Sequence, residues 1–276
     1  FLYVYDDNED AASYDIWDKI GEGIANLEAL ESLHVLVSGD PDPDPIASAA
    51  QTRILTPDWE RLGYILKHLS KNIRLQIDDG SETEGHHLRY AVDVDAFARM
   101  LRGQPRVARF GTWDIFYRGP LGTVCAALST LPALESVDLG HRRREDTEEG
   151  FEATVLDPKH MATLLKASCL RSVEFKHFDF TNIALCEATA NTLRAKDSAI
   201  TKLTFWRCYF AAGGDAEVLS CLETNEKLLS IEFHPDPNNT TMVCNAIANS
   251  LCLNSSLEQL TLGCPSLTPI FRSMTK

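Results

Sequence analysis

The chain has 276 residues, 44% hydrophobic and 24% charged, with a formal net charge of −14. That apolar content supports a folded protein, and the acidity argues against nucleic acid as the main partner, because a phosphate backbone calls for a basic surface. No run approaches the roughly 18 apolar residues of a transmembrane helix, and FLYVY at the start is far too short for a signal peptide.

In chain order, Leu2 to Val4 fit the last half of a short strand. Ile16, Ile20, Ile24 and Leu27 then fall on one helical face, and LESLHV from Leu30 predicts a strand near 31–36. Leu62, Ile65, Leu66 and Leu69 mark a second amphipathic helix, followed by NIRLQI from Asn72 and a strand near 73–77. VARFGT from Val107, LESVDL from Leu134 and LRSVEF from Leu170 predict strands near 108–112, 135–139 and 171–175. ITKLTF from Ile200, LLSIEF from Leu228 and LEQLTL from Leu257 predict strands near 201–205, 229–233 and 258–262. The first, fourth and sixth positions are apolar, apart from Asn72 at a first and Thr112 at a sixth position. In the third unit FGTWDI also fits, but VARFGT keeps the 16-residue return to the next helix.

The approach to each strand is equally regular. Ile24, Leu66, Leu101, Leu128, Leu164, Leu222 and Leu251 each stand six residues before a first position, and Leu193 stands seven before Ile200. The helix end reads L-x-x-N-x-x-L in LETNEKL and LCLNSSL, while IANLEAL and LSTLPAL put an apolar residue in place of the asparagine. Helix, tight turn and short strand therefore recur eight times, which predicts an α/β solenoid whose strands are all parallel.

Residues 200–210, ITKLTFWRCYF, match the pattern L-x-x-L-x-L-x-x-N/C-x-L, with Cys208 ninth and Phe210 eleventh. The chain thus resembles leucine-rich-repeat proteins, and unit lengths of 27 to 30 residues outside the insertions resemble the ribonuclease-inhibitor-like class. The resemblance implies a horseshoe with a parallel concave sheet of about eight strands backed by helices. Ser38, Phe178, Asp236 and Pro265 depart from it at the ninth position, so irregular loops are expected after those strands. No Pro/Gly/Ser linker interrupts the pattern, so residues 1–276 are expected to form one solenoid, a fragment of a longer chain.

The eight cysteines contain no C-x-x-C pair, and a reduced, structural role points to a cytoplasmic or nuclear compartment. Asn238–Thr241 and Asn254–Ser256 contain sequons, but Asn254 falls in a tight turn. There is no phosphate-binding loop, H-E-x-x-H or G-x-S-x-G, and Gly21 and Gly23 lie in a helical run rather than after a strand. His86 and His87 with Glu82 and Glu84 have no spacing that fixes a coordination geometry, and Arg142–Arg144 run straight into carboxylates. No enzyme activity, catalytic residue, cofactor or metal is expected.

Strand-to-helix lengths vary far more than the turns. The short units take 16 to 18 residues, whereas Val35 to Leu66 takes 31, Ile77 to Leu101 takes 24 and Leu139 to Leu164 takes 25. In a parallel stack those insertions share one rim. DDNED (6–10), DPDPD (40–44), DDGSETE (78–84) and EDTEEGFE (145–152) carry 16 of the 40 carboxylates. Such a rim either keeps the chain soluble or steers a basic protein partner.

The expected function is a protein-interaction module. Its binding surface would be the outward third, fifth and seventh strand positions, with Asp138 and Glu174 at fifth and Trp113, Lys176, Trp206 and His234 at seventh positions. Either both indoles anchor a partner, or both fold under the next loop with Lys176 stacked on Trp206. The resemblance also allows a GTPase regulator similar to Ran GTPase-activating proteins, or the sensor array of an intracellular immune-type receptor.

Overall fold

The computed structural model describes residues 2–4, 14–37, 56–79, 91–118, 121–141, 156–210, 212–235 and 248–263. Its elements begin with strand β1 (Leu2–Val4), helix α1 (Tyr14–Ala25), strand β2 (Ser32–Val37), helix α2 (Thr56–Lys67) and strand β3 (Ile73–Asp79). There follow β4 (Ala91–Asp93), α3 (Val94–Leu101), β5 (Val107–Arg118), α4 (Gly122–Ser129), β6 (Ser136–His141) and α5 (Pro158–Leu165). The series ends with β7 (Ser172–Lys176), β8 (Asp179–Phe180), α6 (Ile183–Arg194), β9 (Lys202–Phe210), α7 (Gly214–Leu219), β10 (Ser230–Pro235) and β11 (Gln259–Leu262).

The fold is α/β and solenoid-like. One parallel sheet runs in the order β1-β2-β3-β5-β6-β7-β9-β10-β11, with β4 against the far end of β5 and β8 against the far end of β9. Successive helices pack on one another, and helix and strand residues share one apolar cluster. Leu66, Leu101, Leu128, Leu164, Leu193 and Leu222, six of the eight residues that announce a strand, are buried there, and Ile24 and Leu251 pack against the cluster partly buried.

Register follows the sixfold pattern. Leu33, Leu75, Phe110, Val137, Val173, Leu203, Ile231 and Leu260 lie level across the sheet at the fourth position. Val35, Ile77, Thr112, Leu139, Phe175, Phe205, Phe233 and Leu262 do the same at the sixth. The third unit therefore uses VARFGT. Asn72 is exposed, and Ile73 takes the buried place level with Val107; a bulge after Ile73 then restores register. Leu2 lies level with Val35 and Val4 with Val37, so β1 sits two residues further along than a match to the fourth and sixth positions requires.

The turns before the strands explain the asparagines. Asn225 accepts from the backbone N–H of Lys227 at 2.8 Å and of Leu228 at 2.6 Å, while its amide donates to the Leu193 carbonyl one unit back. Asn254 repeats this on Ser256 N–H at 3.0 Å and Leu257 N–H at 2.8 Å, and donates to Leu222 and Asn225 carbonyls at 2.7 and 3.1 Å. Each amide closes its own turn and ties it to the previous one. Helix starts are equally local: Asp157 accepts from Lys159 N–H at 2.7 Å ahead of Pro158, and Asn182 accepts from Ala184 N–H at 3.0 Å.

The ninth position corrects the expectation of an irregular loop after β7. Phe178 is fully buried against Phe175, and the chain continues directly into β8, whose Phe180 packs on Phe175, Phe205 and Phe210. The residue before each ninth position makes this possible. His177 and Arg207 have φ of 60° and 50°, so the backbone turns left-handed there and swings Phe178 and Cys208 inward. The Cys208 thiol donates to the Phe175 carbonyl at 3.3 Å. Ser38, Asp236 and Pro265 lie outside the described residues.

Cys125, Cys169, Cys186, Cys208, Cys221 and Cys252 are free thiols. Burial pushes Cys125, Cys208 and Cys221 up to about 12, which keeps them protonated and inert. Among the described residues no helix is long and apolar enough to cross a membrane.

Candidate functional site

The face of the sheet opposite the helices is built from the third, fifth and seventh positions. The third carries Ser32, Arg74, Arg109, Ser136, Ser172, Lys202, Ser230 and Gln259, with no carboxylate. The fifth carries His34, Gln76, Gly111, Asp138, Glu174, Thr204, Glu232 and Thr261, with no lysine or arginine. The seventh carries Asp78, Trp113, Gly140, Lys176, Trp206, His234 and Gly263 among the described side chains. The surface is thus banded into a basic row, an acidic row and an aromatic row, each about 7 Å from the next along the strands.

Trp113 lies where β5 departs from regular pairing, because Thr112 is level with Leu139 but the next level residue is Ile115, opposite His141. The bulge presents its indole, 49% exposed, on the open face. Thr112 is there for the same reason. Its hydroxyl accepts from Gly140 N–H at 3.2 Å and stands 3.4 Å from the Gly140 carbonyl, which holds the kinked strand to β6. A Cβ on Gly140 would stand 2.5 Å from the Thr112 carbonyl oxygen, so only glycine permits this approach.

Gly140 also leaves the floor between β5 and β7 bare. Lys176 reaches across it, and its ammonium sits 4.7 Å from the centre of the Trp113 ring. The same ammonium donates to Asp138 Oδ2 at 2.7 Å and lies 3.1 Å from Glu174 Oε1. This corrects the expected stacking of Lys176 on Trp206. Lys176 is level with Trp206 at the backbone, but the Asp138 carboxylate and the gap at Gly140 draw its side chain the other way. Burial holds the Asp138 carboxyl above the usual carboxylate range, although the Lys176 hydrogen bond lowers it. Asp138 Oδ1 is buried without a hydrogen-bond partner.

Trp206, half-buried, packs instead on His234, with ring centres 4.0 Å apart. His234 Nε2 lies 2.8 Å from Glu232 Oε1. Four of the six residues singled out from the sequence, Trp113, Asp138, Glu174 and Lys176, thus form one cluster, and Trp206 with His234 forms a second beside it. Glu232 and Thr204 escaped the sequence reading, although both sit in the fifth-position column that the repeat defines. So did a third group, in which Asp78 meets His34 and accepts from Gln76 Nε2 at 2.7 Å. Asp78 therefore belongs to the sheet face rather than to the acidic rim. Gln76 lies across Gly111, where an added Cβ would stand 2.2 Å from its Oε1.

Of the carboxylate-rich segments only Asp78 and Asp79 are described; the rest, with His86 and His87, lie outside the described residues. The strands preceding three of them, β2, β3 and β6, belong to one parallel sheet, so the chain leaves all three at the same edge. Among the described residues no group of three or more His, Cys, Asp or Glu could hold a metal ion.

No family model matches the chain, and no curated protein matches its sequence.

Proposed function

We propose that the chain is a leucine-rich-repeat protein of the ribonuclease-inhibitor-like class that acts as a protein-interaction module. Its binding surface is the open, concave face of the sheet. The observation that carries this reading is the aromatic row: Trp113 stands half-exposed on a bulge, and Trp206 lies three strands away, about 14 Å along the same row. A solvated indole of that size costs free energy until something covers it, and tryptophan is enriched among the residues that dominate interfaces. The polar groups around it are largely paired within the face, which presents a preformed surface rather than a set of loose charges.

The partner is a protein with a basic contact surface. The acidic segments leaving one sheet edge steer it, so its association rate falls as salt rises. The experiment is partner capture with the intact chain, followed by affinity measurements on Trp113→Ala and Trp206→Ala. An interface centred on this face loses affinity with each substitution; one located on the helices loses it with neither.

A further inference from the structure

Thr204 occupies an outward position, yet it is only 2% exposed and its hydroxyl has no hydrogen-bond partner. It lies level with Glu174 on one side and Glu232 on the other, and Trp206 follows two residues along the same strand. The two glutamates are therefore about 9.6 Å apart at the backbone, across a floor formed by Thr204. Each uses one oxygen locally, Glu174 on Lys176 at 3.1 Å and Glu232 on His234 at 2.8 Å. Asp138, Glu174 and Glu232 set three carboxylates against the single ammonium of Lys176. The acidic row also holds two buried oxygens without partners, Asp138 Oδ1 and Thr204 Oγ1. It is short of donors at those two oxygens.

The Lys176 cluster shows the answer the fold already uses once: a cation against an indole, held by two carboxylates. Glu174, Glu232 and Trp206 repeat the arrangement without a lysine, with His234 on one side of the indole and against Glu232 Oε1. We infer that this second cluster is a binding site for an arginine side chain of the partner, with the guanidinium against Trp206, bonded by Glu174 and Glu232, and within reach of the Thr204 hydroxyl. A guanidinium suits it better than an ammonium, because its plane stacks on an indole while its edges present several N–H groups to flanking carboxylates. The inference rests on the proposal that the open face binds a protein, and it names the side chain that is read there.

The test is titration of the intact chain with N-acetyl-argininamide, followed by calorimetry and by the Trp206 indole N–H resonance. N-acetyl-lysinamide and N-acetyl-citrullinamide, the latter close in shape and uncharged, are the comparison probes. One stacked, doubly bonded cation gives a Kd on the order of 1–10 mM. Lysinamide binds about tenfold more weakly, and citrullinamide does not saturate. Glu232→Gln, which preserves shape, weakens argininamide about tenfold, Trp206→Ala abolishes saturation, and Tyr64→Ala, on the exposed helix side, changes nothing. Thermal unfolding of each variant checks that the fold persists. Absence of saturable argininamide binding, equal binding of citrullinamide, or binding indifferent to Glu232→Gln and Trp206→Ala would each overturn the site. If those results come with a partner whose affinity still depends on Trp113, only the arginine site falls; if no partner depends on this face, the proposed function falls with it.

Discussion

Asn225→Ala removes one amide and strands three backbone groups. The Leu228 N–H and the Leu193 carbonyl belong to fully buried residues and have nothing else in the turn to replace the amide. Leaving each unpartnered costs about 1–3 kcal/mol. Lys227 is exposed, so water takes over its N–H at little cost. The expected loss is therefore about 2–6 kcal/mol, with a further contribution if the Asn225 carbonyl shifts away from Asn254 and Ser256, which donate to it at 3.1 and 3.0 Å. Urea unfolding followed by far-UV circular dichroism reads this as a lower midpoint at unchanged slope. Asn225→Asp separates the two halves of the amide: it keeps the acceptor for Leu228 N–H but turns an oxygen toward the Leu193 carbonyl, so it should also destabilise. A loss under 1 kcal/mol for Asn225→Ala, or an Asp variant as stable as the parent, would refute the view that this amide joins neighbouring units.

Gly140→Ala places a methyl 2.5 Å from the Thr112 carbonyl oxygen, and because that contact is backbone it cannot be relieved by a rotamer change. It should cost about 1–3 kcal/mol and disturb Trp113, seen as altered tryptophan emission; unchanged stability and emission would count against the role given to Gly140. Asp215→Asn tests burial. Asp215 is 2% exposed, and desolvation holds its carboxyl above the ordinary 3.8. A raised folded value means that its contribution to stability is fully present below the unfolded value and is lost as pH rises through the folded one. Asparagine keeps the acceptor for Ala216 N–H at 2.8 Å without the charge, so the variant should melt higher than the parent at pH 7, with the gap closing toward pH 4. A gap that does not depend on pH would contradict this.

The strands were legible because burial alternates with a period of two and each unit repeats the same apolar triplet, so a slip would turn Phe110, Val137 and Val173 outward. The third unit could be placed because its return to Leu128 matched its neighbours. The left-handed turns at His177 and Arg207 were not legible, since neither residue is glycine and tertiary packing imposes the conformation. Phe178 was misjudged for that reason: the ninth position selects a buried side chain, and a phenylalanine ring fills the place as well as a thiol. The columns of the open face could be written down from the repeat alone, but not which neighbour each side chain prefers. Lys176 faces Trp113 rather than Trp206 only because Gly140 is bare and Asp138 lies beneath, which is a matter of side-chain direction across three strands.

The central claim is that the open face of the sheet binds a protein. The most direct measurement is a quantitative comparison of proteins captured by the intact chain, by a Trp113→Ala/Trp206→Ala double variant and by Tyr64→Ala, a helix-side control that is also exposed. Affinities of the captured proteins are then determined with purified components. At least one partner should show a Kd that rises by more than about 30-fold in the double variant, as expected when a hot-spot tryptophan is removed, and that is unchanged in the helix-side control. Partners that bind the double variant as tightly as the parent, or that depend on Tyr64 instead, would contradict it.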